Sequence, residues 1–117
     1  MTDSLIVLGI ESSCDDTAAA VIKVFHTNSQ FLKAKIYSSI IFNQNQIHNN
    51  FGGIVPELAA RAHAEKLDIC VEKALIDSNT SLEAINIVCV TSGPGLIGGL
   101  ISGVVFAKGL SFSLNKP

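Results

Sequence analysis

Apolar and polar positions along the chain fall into blocks whose period changes from two to 3.6. Leu5–Ile10 is a short apolar run of strand type, and Thr17–Phe25 is a second. Phe31–Phe42 is a third, in which Leu32, Ala34 and Ile36 alternate with Lys33, Lys35 and Tyr37. The segment HTNSQ, His26–Gln30, suits a turn between the last two. Three successive strands on short connections predict an antiparallel meander. Asn43–Val55 is polar, contains Gly52-Gly53 and reads as a loop. From Pro56 the period lengthens. Leu58, Ala62, Leu67, Cys70, Val71, Ala74 and Leu75 recur at helical spacing, and Glu57 and Arg61 form an i,i+4 pair. Proline suits a first helical turn, so a helix is expected from Pro56 to about Ile76, stopped by Ser78 and Asn79. Ser81 with Glu83 and Ala84 suits one capped turn. INIVCV, Ile85–Val90, is a continuous apolar run of the kind found in a doubly covered strand. TSGPG follows, and then a helix from about Leu96 to Ser113.

The order is therefore β-β-β-α-β-α. The final strand-to-helix step favours a parallel partner for the fourth strand. This is the opening of a ribonuclease-H-like α/β fold, which actin-like ATPases use twice. That fold usually adds a fifth strand and a further helix, so on topology residues 1–117 are expected to be either an unusual small domain or part of a first lobe. No internal repeat or linker divides them, which predicts one domain.

Composition sharpens this picture in three places. With 48% hydrophobic and 15% charged residues, disorder is excluded, and so apolar a surface is expected to meet a partner or another part of the protein. The net charge is −2, Arg61 is the single arginine, and Lys33 and Lys35 are the one close basic pair, so charge gives no support for nucleic-acid binding. Three cysteines without a CxxC spacing point to a reducing, cytoplasmic compartment. Cys70 and Cys89 lie in apolar runs and are expected to be core thiols; Cys14 lies in a polar turn. The first residues lack a basic leader. The longest apolar segment, Leu96–Ala107, is short and broken by glycine, so no membrane span is expected.

Four stretches carry candidate chemistry. TSGPGLIGGLISG joins a strand to a helix through glycines, and free N–H groups at such a helix start attract an anion. It lacks the Gly-Lys-Ser/Thr of a Walker loop, and an unliganded turn is the alternative. Gly95, Gly99, Gly103 and Ala107 recur every fourth residue and mark one helix face for close approach. That face serves either internal helix packing or a subunit interface, including a dimer. GGIVPELAARAH brings Glu57, Arg61 and His63 into the first turns of a helix, either on a solvated face or reaching a phosphate or a partner. His26, His48 and His63 show no HxxxH or HExxH spacing, and no GxSxG is present. Finally, ESSCDD, Glu11–Asp16, sets three acids, two hydroxyls and a thiol between two strands. Ser12 and Ser13 with the turn N–H groups are candidate phosphate donors. Glu11, Asp15 and Asp16 then require a cation, such as magnesium, or a water layer between them and the phosphate. An acidic solvated hairpin turn is the alternative.

Together, LGIESSCDDTAAAVI, GGIVPELAARAHAEKL and VTSGPGLIGGLISGVVFAKGLS resemble the TsaD family, also called Gcp and formerly O-sialoglycoprotein endopeptidase. The resemblance covers nearly the whole chain in order. The third stretch is shared with the paralogous TsaB family, which usually lacks the cysteine-containing acidic turn and the PELAARAH segment. The resemblance implies a duplicated actin-like (ASKHA) fold. It also implies transfer of a threonylcarbamoyl group from threonylcarbamoyl-AMP to the adenosine beside the tRNA anticodon, in company with TsaB-like and TsaE-like proteins. By the same token Glu11, Ser12, Ser13, Asp15 and Asp16, with Gly93, Pro94 and Gly95, are implied to face a nucleotide cleft. Glu57, Arg61 and His63 are implied to lie near the cleft or the tRNA path. Ala62 departs from the polar residue common at its position. The family binds iron or zinc, but its HxxxH and Asp ligands match no position here, so no metal ligand is carried over. A 117-residue portion is accordingly expected to be inactive by itself. The alternatives are a non-catalytic, TsaB-like scaffold lobe, the glycoprotease of the older name, for which no ligand set exists here, and an actin-like small-molecule kinase.

Overall fold

The computed structural model describes residues 2–117. Four strands, β1 (Asp3–Glu11), β2 (Thr17–His26), β3 (Phe31–Phe42) and β4 (Ile87–Val90), form one sheet in the order β3-β2-β1-β4. The first three make the expected antiparallel meander, and β4 pairs parallel to β1, with Ile10 opposite Val90. Helices α2 (Pro56–Asp77) and α3 (Ile97–Leu114) cover one face of this sheet. On that face Leu8 and Ile10 of β1 and Ala19 and Val21 of β2 recur every second residue, as a half-covered sheet requires. They meet Leu67, Cys70, Val71 and Ala74 of α2, Ile85, and Ala107 of α3. The Ser38 hydroxyl of β3 donates to the Ala74 carbonyl at 2.7 Å and ties the sheet to the last turns of α2.

Helix ends follow from local chemistry. Pro56 occupies the first turn of α2 and Glu57 favours the positive end of its dipole. Asn79 after α2 and Asn115 after α3 adopt the left-handed conformation that asparagine tolerates best among residues with a Cβ. The Val88 N–H donates to the Pro117 carbonyl, so residues 115–117 return alongside β4.

Three expectations are corrected. Asn43–Val55 is not a plain loop: it holds a four-residue helix α1 (Asn45–His48) and a 3₁₀ turn (Asn49–Phe51). No apolar period marks them because side chains fasten them instead. The Val55 N–H donates to His48 Nδ1 at 3.1 Å, His48 Nε2 donates to Gln44 Oε1 at 2.8 Å, and the Gln44 amide donates to the Ala59 carbonyl. Ser81 precedes a 3₁₀ turn (Leu82–Ala84) but makes no side-chain cap. Cys89 is exposed, because helices cover one face of β4 only, whereas the apolar run had suggested two.

Candidate functional site

Parallel pairing of β1 with β4 sets the C-terminal ends of both strands side by side. The acidic turn after β1 and the Gly-Pro-Gly loop after β4 therefore meet at one edge of the sheet. The Thr91 N–H donates to the Ile10 carbonyl at 3.1 Å, and the Leu96 N–H donates to the Ser13 carbonyl at 2.7 Å. Glu11 completes the junction. One carboxylate oxygen accepts from the Ser13 N–H and the other from the Thr91 hydroxyl at 3.1 Å. Burial alone would raise the Glu11 pKa, but hydrogen bonds from Ser13 and Thr91 favour the charged form, and the net position is below the ordinary carboxylate value.

The backbone of α3 lies against this turn without intervening side chains. A Cβ on Gly95 would sit 2.6 Å from the Ser13 carbonyl oxygen, and one on Gly99 would sit 2.5 Å from that of Ser12. One on Gly103 would collide with the Ser12 hydroxyl. The stripe Gly99, Gly103 and Ala107 is thus the inward face of α3. This corrects the reading of Gly95, Gly99, Gly103 and Ala107 as a subunit or dimer interface: closeness to the turn accounts for the glycines. The outward face is apolar instead, with Ile97, Ile101, Val105 and, at 91% exposure, Phe112. By length and composition α3 is the one helix among the described residues that could cross a membrane, and it outruns the Leu96–Ala107 segment. Its inner face is packed as in a core helix.

The reading of the Ser12 hydroxyl and the Ser13 N–H as phosphate donors is also corrected. Ser12 is 0% exposed and its hydroxyl donates to the Gly99 carbonyl at 2.8 Å, while the Ser13 N–H is engaged by Glu11. Neither of these groups is free for a phosphate. Ser92, Gly93, Pro94, Gly95 and Asp16 are exposed at this edge, and Ser13 and Asp15 are half-buried. Asp15 lines a cleft of about 330 Å³ with Asn45, His48, Asn49, Gly52, Gly53 and Ile54.

His63, Arg61 and Glu57 separate. Two residues span about 200° of helix, so His63 points away from Arg61. Glu57 and Arg61 pair at 2.7 Å on the exposed side of α2. His63 is 0% exposed, which overturns a solvated position for it. Its Nε2 donates to the Cys14 carbonyl at 3.0 Å, and its Nδ1 accepts from the Thr17 hydroxyl at 2.7 Å. Thr91, a candidate hydroxyl donor from its place before the Gly-Pro-Gly loop, donates to Glu11. Sequence reasoning misses Thr17 and His48: Thr17 stands out only as a residue flanking the acidic turn, and His48 carries no spacing signal at all. The basic pair Lys33 and Lys35 gains a third member, since Lys23 lies opposite Lys35. That group sits about 20 Å along the strands from the acidic turn.

No three of His, Cys, Asp and Glu converge among the described residues. Both Glu11 oxygens are engaged within the chain. The described residues therefore make no ligand set for iron or zinc by themselves, and no step is routed through a metal. The thiols differ sharply. Burial pushes Cys70 up to about 11, and burial with the neighbouring Asp15, Asp16 and Glu11 charges pushes Cys14 up. At pH 7.5 iodoacetamide is expected to modify exposed Cys89 first and Cys70 last, read by peptide mass spectrometry; equal rates at Cys70 and Cys89 would contradict this packing.

A family model described as TsaD, tRNA N6-adenosine threonylcarbamoyltransferase, matches residues 35–117. Proteins named tRNA N6-adenosine threonylcarbamoyltransferase from Ruegeria sp. (strain TM1040) and Dinoroseobacter shibae are 53% and 54% identical over 117 residues. Those alignments cover 100% of this chain but only 31% and 30% of the relatives' own lengths. Among solved structures, YeaZ from Pseudomonas aeruginosa superposes with a TM-score of 0.64 at 20% identity. That superposition covers 97% of this chain and 41% of YeaZ, and shows that the two share the actin-like α/β fold.

Proposed function

This chain belongs to the TsaD family of tRNA N6-adenosine threonylcarbamoyltransferases, and from that membership we propose that it supplies the phosphate-side wall of a threonylcarbamoyl-transfer site. The observation that carries the reading is the junction of its two family motifs, the acidic turn and the Gly-Pro-Gly loop, at one sheet edge. The donor is threonylcarbamoyl-AMP and the acceptor is the exocyclic amine of the adenosine beside the tRNA anticodon. The amine nitrogen bonds to the carbamoyl carbon, the bond from that carbon to the phosphate oxygen breaks, the amine loses a proton, and AMP leaves. In this chain the exposed Gly93–Gly95 backbone and the first turn of α3, at the positive end of its dipole, face the leaving phosphate. Asp15 and Asp16, not the engaged Glu11, are the acids left to act through water. The rest of the site comes from sequence that this chain does not match. TsaB-like and TsaE-like partners and a cytoplasmic setting belong to the same reading.

The test is a chimera in which these 117 residues replace the matching third of the Ruegeria sp. (strain TM1040) relative. It is expected to restore threonylcarbamoyladenosine in tRNA from a strain lacking its own transferase, measured by nucleoside mass spectrometry. A folded chimera that yields none would refute the reading. One observation favours a second reading, a protein-binding scaffold lobe: the outward stripe of Ile97, Ile101 and Val105 on α3. A chimera that assembles with partners without transferring the group would point to it.

A further inference from the structure

The interior of the site holds one imidazole whose Nε2 proton is fixed by the atom it faces. The Cys14 carbonyl can only accept, so His63 Nε2 carries a proton. In the neutral ring Nδ1 is then an acceptor, and the Thr17 hydroxyl donates to it at 2.7 Å. Among the described residues that hydroxyl has no other partner. The Nε2–H tautomer therefore satisfies ring, carbonyl and hydroxyl together, with the ring and the hydroxyl buried. The ring is also held from its other side. A Cβ on Gly99 would lie 3.1 Å from His63 Cδ2 and 3.3 Å from Nε2. His63 thus joins α2 to the middle of the acidic turn and lies against the backbone of α3.

We propose that His63 is a positioning residue: as the Nε2–H tautomer bonded to the Cys14 carbonyl and the Thr17 hydroxyl, it fixes the Cys14–Asp15 peptide and with it the direction in which Asp15 and Asp16 face the substrate phosphate. This rests on the transferase reading of the same turn and adds a residue that never touches substrate. Glutamine can donate to the Cys14 carbonyl from an amide placed near Nε2; leucine can donate nothing. Valine at position 17 removes only the Nδ1 partner and keeps the shape of threonine. The four variants His63→Gln, His63→Leu, Thr17→Ser and Thr17→Val therefore form a graded series.

Two readouts separate positioning from general stability. In the 117-residue chain, nitrogen-15 NMR of the imidazole is expected to show the Nε2–H tautomer, and Cys14 alkylation, followed by peptide mass spectrometry, is expected to speed about tenfold in His63→Leu but little in His63→Gln. In the chimera, His63→Leu is expected to lower kcat for transfer by about 10- to 100-fold with the KM for tRNA unchanged, the scale of a misplacement of about 1 Å. Glutamine is expected to recover most of that loss. Should His63→Leu fail to fold, Thr17→Val carries the same comparison against Thr17→Ser. An Nδ1–H tautomer, equal Cys14 rates in the Gln and Leu variants, or an unchanged kcat in a folded His63→Leu or Thr17→Val chimera would each overturn the proposal. If the unsubstituted chimera transfers nothing, the transferase reading falls, while tautomer and Cys14 rates still decide whether His63 holds the turn.

Discussion

Gly99→Ala is expected to destabilise the chain by about 1–3 kcal/mol, although alanine is the better helix former by about 1 kcal/mol. The added methyl would sit 2.5 Å from the Ser12 carbonyl oxygen and 3.1 Å from the His63 ring. The first of these is backbone at the end of the central strand β1, and cannot swing aside as a side chain would. Either α3 or the turn must move, and with it the bond from the Ser12 hydroxyl to the Gly99 carbonyl. Gly109 provides the internal control. It lies in the same helix, where a methyl group would meet no atom within 4 Å, so Gly109→Ala is expected to stabilise by up to about 1 kcal/mol. Thermal and urea unfolding of the two variants should therefore move in opposite directions, by roughly 5–10 °C downwards for Gly99→Ala. Equal stability of the two would mean that α3 does not rest on the turn.

These glycines also show which features a one-dimensional pattern carries. Element order is legible because most segments bury one face, and α2 runs from Pro56 one residue past Ile76. β3 spans Phe31–Phe42 as expected, yet Leu32, Ala34 and Ile36 are exposed, and it is Ser38 further along that is buried. The spacing of Gly95, Gly99 and Gly103 likewise marks a close approach. It does not say what approaches, because that depends on where the parallel pairing of β1 and β4 puts the Ser12 backbone. Ser12 and Ser13 are illegible for a related reason: a hydroxyl in a turn can face either way, and only the nearness of Gly99 sends that of Ser12 inward. His63 shares a motif with Arg61 in sequence yet lies on the other side of the helix. Helix α1 leaves no trace because the His48–Gln44 bond, not a burial pattern, holds it.

Replacing Glu11 by glutamine should weaken the chain by about 1 kcal/mol at neutral pH, and the loss should vanish in acid. Each oxygen of the carboxylate serves one side of the site: one accepts from the Ser13 N–H of the acidic turn, the other from the Thr91 hydroxyl of the Gly-Pro-Gly loop. Hydrogen bonds to a charged acceptor exceed neutral ones by about 1 kcal/mol, and partial exposure of Glu11 keeps the sum near the lower figure. Glutamine retains one acceptor oxygen but presents an amide where the second oxygen stood. The pH dependence follows from the direction of the shift. Burial raises the Glu11 pKa, the bonds from Ser13 and Thr91 more than offset it, and the folded value lies below the unfolded one of about 4.3. The carboxylate therefore contributes fully above the unfolded value, and its contribution is lost as pH falls through the folded one. Glutamine does not titrate. Urea midpoints of the two proteins should run parallel from about pH 7 to 5 and converge below about pH 4. A gap that stays constant into acid would mean that shape alone, not charge, makes Glu11 the link between the two loops.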